Sequence, residues 1–279
     1  MKSIIKFVSE KSPSLWGIKK TRGFLEKSIY LAIYKDLSNK GYDCLSLKTK
    51  GWHNINKKSL RHNTQKLRKY LGEWGKEQIQ LGEPQDWTAA TRGINIFPQF
   101  QNIVFWWDSM DVPLTNKKGI NKKHSSWSYK LNRWGQRFMI LADAHRRVRK
   151  IWGGYSPKVF DGDFILLTKD WIEEKLSGVA SIGDNHFKSG AKILRSHVLY
   201  APMKKPPNTK KTTYKGLKSE TKSQKIERRA LKAIRSRIES PFGEIKNKFI
   251  SLSKPFGESK KQQSYVVEFA FGVHNSLLK

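Results

Sequence analysis

The apolar positions of this chain change period along its length. Over the first 80 residues they recur at helical spacing. GFLEKSIYLAIYKDLSNKG aligns Phe24, Ile29, Ile33 and Leu37 and stops at Gly41, and KSLRHNTQKLRKYLGEWG (58–75) aligns Leu60, Leu67, Leu71 and Trp74. Asn54 or Asn56 is a candidate N-cap for the second of these helices. From residue 99 the texture becomes that of strands: NIVFWWDSM is continuously apolar, and WGQRFMILADAHRRVRKIWGGYSP holds two β-prone runs, Phe138–Ala142 and Val148–Trp152, joined by a hairpin link in which Asp143 reads as a turn residue. DGDFILLTKDWIEEKLSG then reads as one helix, with Asp161 and Asp163 as N-capping acids, a stripe of Phe164, Leu167, Trp171 and Leu176, and Gly178 past its end. VASIGDNHF is a short strand ending at Gly183-Asp184. Residues 204–225 form a polar connector rich in Lys, Pro and Thr. From Ile226 the helical period returns through Ala230, Ala233, Ile234, Ile238, Phe242, Ile245 and Phe249, with Pro241 placed to kink or split it, and SYVVEFAFGVHNSLL closes the chain as an apolar helix.

The order strand, hairpin, helix, strand, connector, helices predicts an α/β fold with a ribonuclease-H-like core, a mixed sheet flanked by helices. The division is a basic helical region over 1–90, compatible with a helix-turn-helix, and a core over 91–279. In that layout the first strand lies beside the strand that ends at Asp184, so acids at their carboxyl ends converge. Asp108 is placed at the end of the first strand, and Glu239, on a later helix, is the candidate third acid.

Charge makes those acids notable. The chain has 55 Lys+Arg against 23 Asp+Glu, a net charge of +32. Such a charge points to a polyanionic partner, and nucleic acid suits it best because binding releases counterions. Arg61, Lys66, Arg68 and Lys69 on the second helix, and Arg235, Arg237 and Lys246 near the third acid, are the candidate DNA contacts. Carboxylates gathered at buried strand ends repel one another and resist ionisation. A hard divalent cation, Mg²⁺ or Mn²⁺, removes both penalties, and two such ions serve phosphodiester chemistry. From the residues alone the plainer readings stay open: Asp108 as a turn cap, Asp184 as a strand-end turn, Glu239 as a helix salt bridge. Asp111, before Val112-Pro113, reads as a turn residue or as a helper near the metals, with the turn preferred. His145 and His186 have no histidine at ligand spacing, and Trp127, Trp134 and Trp152 read as packing rather than base-stacking groups.

Four segments resemble the DDE endonuclease domain of Harbinger-type transposases and their bacterial insertion-sequence relatives: FWWDSMDVPL, KVFDGDFI, SIGDNHF and RSRIESPFGEIKNKFISL, followed by a closing VHNSLL. They cover roughly residues 95–278. The resemblance implies that Asp108, Asp184 and Glu239 are the catalytic, metal-binding acids, with Asp111, Asp161 and His186 close by. It implies a divalent-metal-dependent nuclease and strand transferase acting on double-stranded DNA, at element ends and at a target, and it is compatible with a homo-oligomer. Where the family often has His, this chain has Asp111 and Asp161, and Asn185-His186-Phe187 replaces Ser-Gly-Tyr. Two other readings are a transposase-derived protein that binds DNA without cutting it, and a basic RNA-binding protein without a catalytic core.

The single cysteine, Cys44, allows no intramolecular disulfide and no Cys-based zinc site. Residues 1–20 lack a signal-peptide core, and no stretch is apolar enough to span a membrane. The expected location is therefore intracellular: the nucleus in a eukaryote, otherwise the cytoplasm or nucleoid. The connector 204–225 reads equally as an import signal or a DNA-contacting loop.

Overall fold

The computed structural model describes residues 1–11, 22–38, 40, 42, 45, 57–91, 100–115, 121–201, 221–236 and 239–278; for residues 22–24, 88–91 and 239–241 it describes the main chain only. Asn54, Asn56, Arg237 and most of the 204–225 connector lie outside the described residues.

Six strands form one sheet: β1 (Ile103–Pro113), β2 (Trp127–Ser128), β3 (Arg133–Asp143), β4 (Val148–Tyr155), β5 (Ala180–Ile182) and β6 (Val198–Tyr200). The order is β2-β3-β1-β5-β6, with β4 paired on β3. β1 to β4 pair antiparallel, and β5 and β6 add parallel to β1. This mixed sheet with β1 beside β5 is consistent with a ribonuclease-H-like core. β1 is central because only there can its sequence be satisfied: ten of its eleven residues are buried, Asp108 being the partly exposed one. The β3–β4 turn is tied by Asp143, whose Oδ1 accepts the His145 and Arg147 main-chain N–H groups while Arg149 pairs with Oδ2 at 2.8 Å.

Helices cover both faces. On one face α1 (Lys2–Lys11), α2 (Arg22–Ser38), α3 (Lys57–Glu77), α8 (Lys222–Arg235), α9 (Glu239–Lys248) and α10 (Lys260–Leu277) share a core with Trp106, Met110 and Val112 of β1. On the other, α4 (Pro84–Thr91), α5 (Asp161–Leu167) and α6 (Lys169–Lys175) pack on Phe105 and Trp107; the short α7 (Lys188–Ala191) packs beside α5. The single helix expected from Asp161 is two, broken at Thr168, whose hydroxyl bonds back to the Phe164 carbonyl. The break turns Leu167 outward to 65% exposure, and Ile165 and Ile172 fill the core instead. The helical run from Ile226 is split, but ahead of Pro241: α8 ends at Arg235 and α9 begins at Glu239, with Pro241 in its first turn, where no donor is needed.

Two features lock the closing helix. Asn275 bridges the Val148 N–H and carbonyl and the Gln78 carbonyl, joining α10 to β4 and the end of α3. Gly72, Gly75 and Gly272 let α3 and α10 cross in main-chain contact: a Cβ on Gly75 would stand 2.7 Å from the Phe269 Cα. A side chain there has backbone as its obstacle, which cannot rotate away. Gly75→Val is therefore expected to lower stability by more than about 3 kcal/mol in urea unfolding, beyond ordinary overpacking; a loss under about 1 kcal/mol would show that the helices can separate cheaply.

Candidate active site

The two indoles of Phe105-Trp106-Trp107 project to opposite faces of β1 because side chains alternate along a strand. Trp106 Nε1 donates to the Ile234 carbonyl, 2.7 Å away near the end of α8, and Trp107 Nε1 donates to Ser181 Oγ on β5 at 2.9 Å. Ser181 Oγ is in turn bonded to His197 Nε2 at 2.6 Å. The residues just before Asp108 thus hold the strand that leads to Asp184 and the helix that precedes Glu239.

The sequence places Asp108 at the end of β1. It stands mid-strand, with pairing to β3 continuing to Pro113. What ends near it is the parallel pairing with β5, whose last register pair is Trp106↔Ile182. Asp108, within β1, and Asp184, just beyond β5, each lie two residues past that pair, and both line one cleft. The short β5 opens a cleft of about 780 Å³, and its lining includes Asp108, Asp161, Asp184, His186, Lys130, Lys158, Arg235 and Lys246.

Asp108 and Asp184 each make one hydrogen bond among the described residues, to main chain, Asp184 as the cap of the 3-10 turn Asn185–Phe187. Asp108 Oδ1 accepts Ser109 N–H and Asp184 Oδ1 accepts His186 N–H, both at 2.7 Å. Burial pushes the Asp108 carboxyl up to about 6; Lys130, the Ser109 bond and Arg235 oppose the rise, and the charge of Asp184 adds to it. Asp161 does not cap its helix: the N-cap is Phe160, without a side-chain cap bond. Its carboxylate lies on the cleft, raised by burial against the pull of Arg137, and its buried Oδ1 accepts no hydrogen bond. Lys246 is shifted the other way, its charge disfavoured by burial and by Lys130.

Asp111 is not a turn residue. It is 1% exposed within β1, Arg137 grips it through Nε at 2.7 Å and Nη2 at 3.1 Å, and Ser128 donates to it at 2.6 Å. Arg137 Nη1 reaches Asp161 at 3.6 Å and donates to the Val159 carbonyl at 2.7 Å. This ion pair underlies the cleft. Its only sequence signal was an acid and an arginine at inward positions of neighbouring strands, which becomes visible once the register Asp111↔Arg137 is known.

Of the expected DNA contacts, Arg235 and Lys246 line the cleft, and Arg61, Lys66 and Lys69 lie on α3, Arg61 and Lys66 exposed. Lys69, with its side chain 56% exposed, stands 3.9 Å from Glu73. Arg68 is instead buried, bonded to Asp36 and Glu258. Glu239 begins α9, but its side chain is not described. Trp152 stacks on Trp107 and meets Phe164 and Trp171 edge-on, so it packs as expected.

Asp108, Asp184 and Asp161 bring to the cleft oxygen donors of the kind a hard divalent cation takes, and Asp108 resists ionisation until a cation compensates it. The buried Asp161 Oδ1 is already faced by Arg137 Nη1 at 3.6 Å. Among the described residues, no group of three or more His, Cys, Asp or Glu is placed so that it could hold a metal ion.

The raised acid gives a prediction for the metal-free chain. The folded state holds the Asp108 proton more tightly than the unfolded state, for which 3.8 is the ordinary value. The stability this contributes is full below about pH 4 and is lost as pH rises through about 6. The unfolding free energy of wild type minus that of Asp108→Asn should therefore fall across roughly pH 4–6.5; a flat difference would overturn it.

A family model described as DDE superfamily endonuclease matches residues 107–275, more than half of the chain and a span that includes Asp108, Asp161, Asp184 and Glu239. No curated protein and no solved structure matches.

Proposed function

Because the chain belongs to the DDE superfamily endonuclease family, we propose that it is a transposase-type, divalent-metal-dependent enzyme that cuts double-stranded DNA and joins the freed 3′-hydroxyl to a target. The observation that carries this reading is the shared cleft: Asp108 on β1 and Asp184 just beyond the parallel β5, with basic residues around them. The proposal includes a two-metal site completed by Glu239, kinship with the Harbinger-type group, and DNA contacts from Arg61, Lys66 and Lys69 on a helix-turn-helix-like region.

The residues divide the work by charge. Lys130, Lys158, Arg235 and Lys246 attract the phosphate backbone and hold it over the acids. β1 and β5 fix the carboxylates before substrate arrives, so little reorganisation is left for the reaction. Asp108, Asp184 and Glu239 would hold a divalent cation there, which would supply Lewis acidity for phosphodiester chemistry. Asp184 keeps one oxygen on the His186 N–H, which sets its orientation. Arg137 ties Asp161 to the buried Asp111, so a third carboxylate stays aimed at the cleft. No described helix is long and apolar enough to cross a membrane.

The test is relaxation of supercoiled plasmid by the full chain. Nicking is expected with Mg²⁺ or Mn²⁺ and is expected to stop with EDTA. Nicking that persists in EDTA, or DNA binding without nicking under any divalent ion, would reject the enzyme reading; the second outcome would favour a DNA-binding derivative.

A further inference from the structure

Two aromatic side chains on the cleft lie in water. Tyr129 is 73% exposed and Phe160 69%, and both line the cavity that contains Asp108 and Asp184. The exposed leucines nearby in sequence, Leu166 and Leu167, are not part of its lining.

Neither aromatic is on a loose loop. Tyr129 stands between two anchored neighbours. Ser128 donates to Asp111 and accepts the Leu131 N–H, and Lys130 Nζ reaches the Ser109 carbonyl at 3.3 Å, one residue from Asp108. Phe160 is held in the same way. Arg137 bonds the carbonyl of Val159 before it and pairs with Asp161 after it. Both anchors meet in the buried Asp111–Arg137 pair. The ion pair thus presents two aromatic rings from separate segments into one cleft. Presenting apolar rings to water is unfavourable, and the anchored neighbours on either side keep both residues at the cleft.

Building on the endonuclease reading, we propose that Tyr129 and Phe160 are stacking platforms for an unpaired nucleotide beside the scissile phosphate, so that the preferred substrate is DNA locally opened at the cleavage point. The surroundings select this occupant. An apolar protein partner would meet Lys130, Lys158, Arg235 and Lys246 around the rings and would have to bury them. A nucleotide offers a π-face to each ring and a phosphate to each cation. Bases inside a duplex hide those faces against their neighbours, so at least one must leave the stack to be gripped. With the flanking residues anchored, only the rotation of the two side chains is left to be ordered on capturing it.

The experiment compares a fully paired duplex with the same duplex carrying a short unpaired bubble, measured by fluorescence anisotropy without divalent ions, with 2-aminopurine in the bubble as a second readout. The wild-type chain is expected to bind the bubble more tightly and to quench the 2-aminopurine. In the full-length double variant Tyr129→Ala/Phe160→Ala, bubble affinity should drop on the order of tenfold or more, with quenching lost and duplex affinity changed less than about twofold. Equal affinities of wild type and variant for the bubble overturn the proposal, as does an equal loss on both DNAs. Self-association that depends on the two rings, with bubble affinity unchanged, also overturns it. The two readings fail separately. A chain that nicks no plasmid but keeps the ring-dependent bubble preference loses the endonuclease reading alone. A chain that nicks normally and shows no ring-dependent preference loses this one alone.

Discussion

Asparagine at Asp108 or at Asp184 is expected to lower metal-dependent nicking by on the order of 10³-fold or more while DNA binding persists, because each change removes an anionic oxygen from the centre where transition-state charge must be balanced. Both substitutions keep the local shape. The amide oxygen of Asp108→Asn would still accept the Ser109 N–H, and that of Asp184→Asn would still accept the His186 N–H. A loss of activity therefore reports charge, not collapse. The two should differ in stability. Asp108 is pushed up to about 6 by burial and by the neighbouring Asp184, so neutralising it is expected to stabilise the metal-free fold at neutral pH by on the order of 1–3 kcal/mol. An enzyme that becomes sturdier as it loses activity has a site built against folding economy. The measurements are plasmid nicking, electrophoretic mobility shift and urea unfolding of each variant. Undiminished nicking by either variant would remove that residue from the site, and lost DNA binding would show a structural fault instead.

How much of this is legible in the sequence depends on how local the signal is. The continuous apolar run of Phe105-Trp106-Trp107 marks a strand buried on both faces, and the alternation of elements after it orders the sheet; both are read from the chain and both are found. The short strand before Asp184 is legible for the same reason, but it stops at Ile182, and Asp184 caps the 3-10 turn that follows. The position of Asp108 within its strand is not legible. A strand's end is set by its partner, and here one partner stops at Ile182 while the other runs on to Gly135. Asp111 misleads because Asp before Val-Pro resembles a turn locally, whereas its conformation is decided by Arg137, 26 residues away. Asp161 reads as a cap for a similar reason: an acid at a helix start is ambiguous until the tertiary fold shows what it faces. The strand Val198–Tyr200 is too short to carry a periodic signal of its own.

The N-terminal helices supply the second large effect. Arg68 sits at a position that looks solvent-facing among Lys66 and Lys69, yet it is 1% exposed. Its guanidinium bonds Asp36 of α2 through Nε and Nη2 and Glu258, just before α10, through Nη1 at 2.5 Å, and it lies over the Phe256 ring at 5.2 Å. Tyr42 and Gln65 donate to the same Glu258 carboxylate. One cation thus joins α2, α3 and the approach to α10. Arg68→Met keeps most of the volume but leaves two buried carboxylates without their counter-ion, and breaking such a group by removing one partner typically costs about 3–5 kcal/mol. The variant is expected to unfold at much lower urea than wild type at neutral pH. The gap should narrow toward about pH 5 as the orphaned carboxylates, their pKa values raised by burial without a cation, take up protons. Lys66→Ala, on the exposed side of the same helix, should change stability by less than about 0.5 kcal/mol. If Arg68→Met cost no more than Lys66→Ala, the first helices would be held by their leucines alone, and the buried charge would have no part in attaching them to the core that carries the acids.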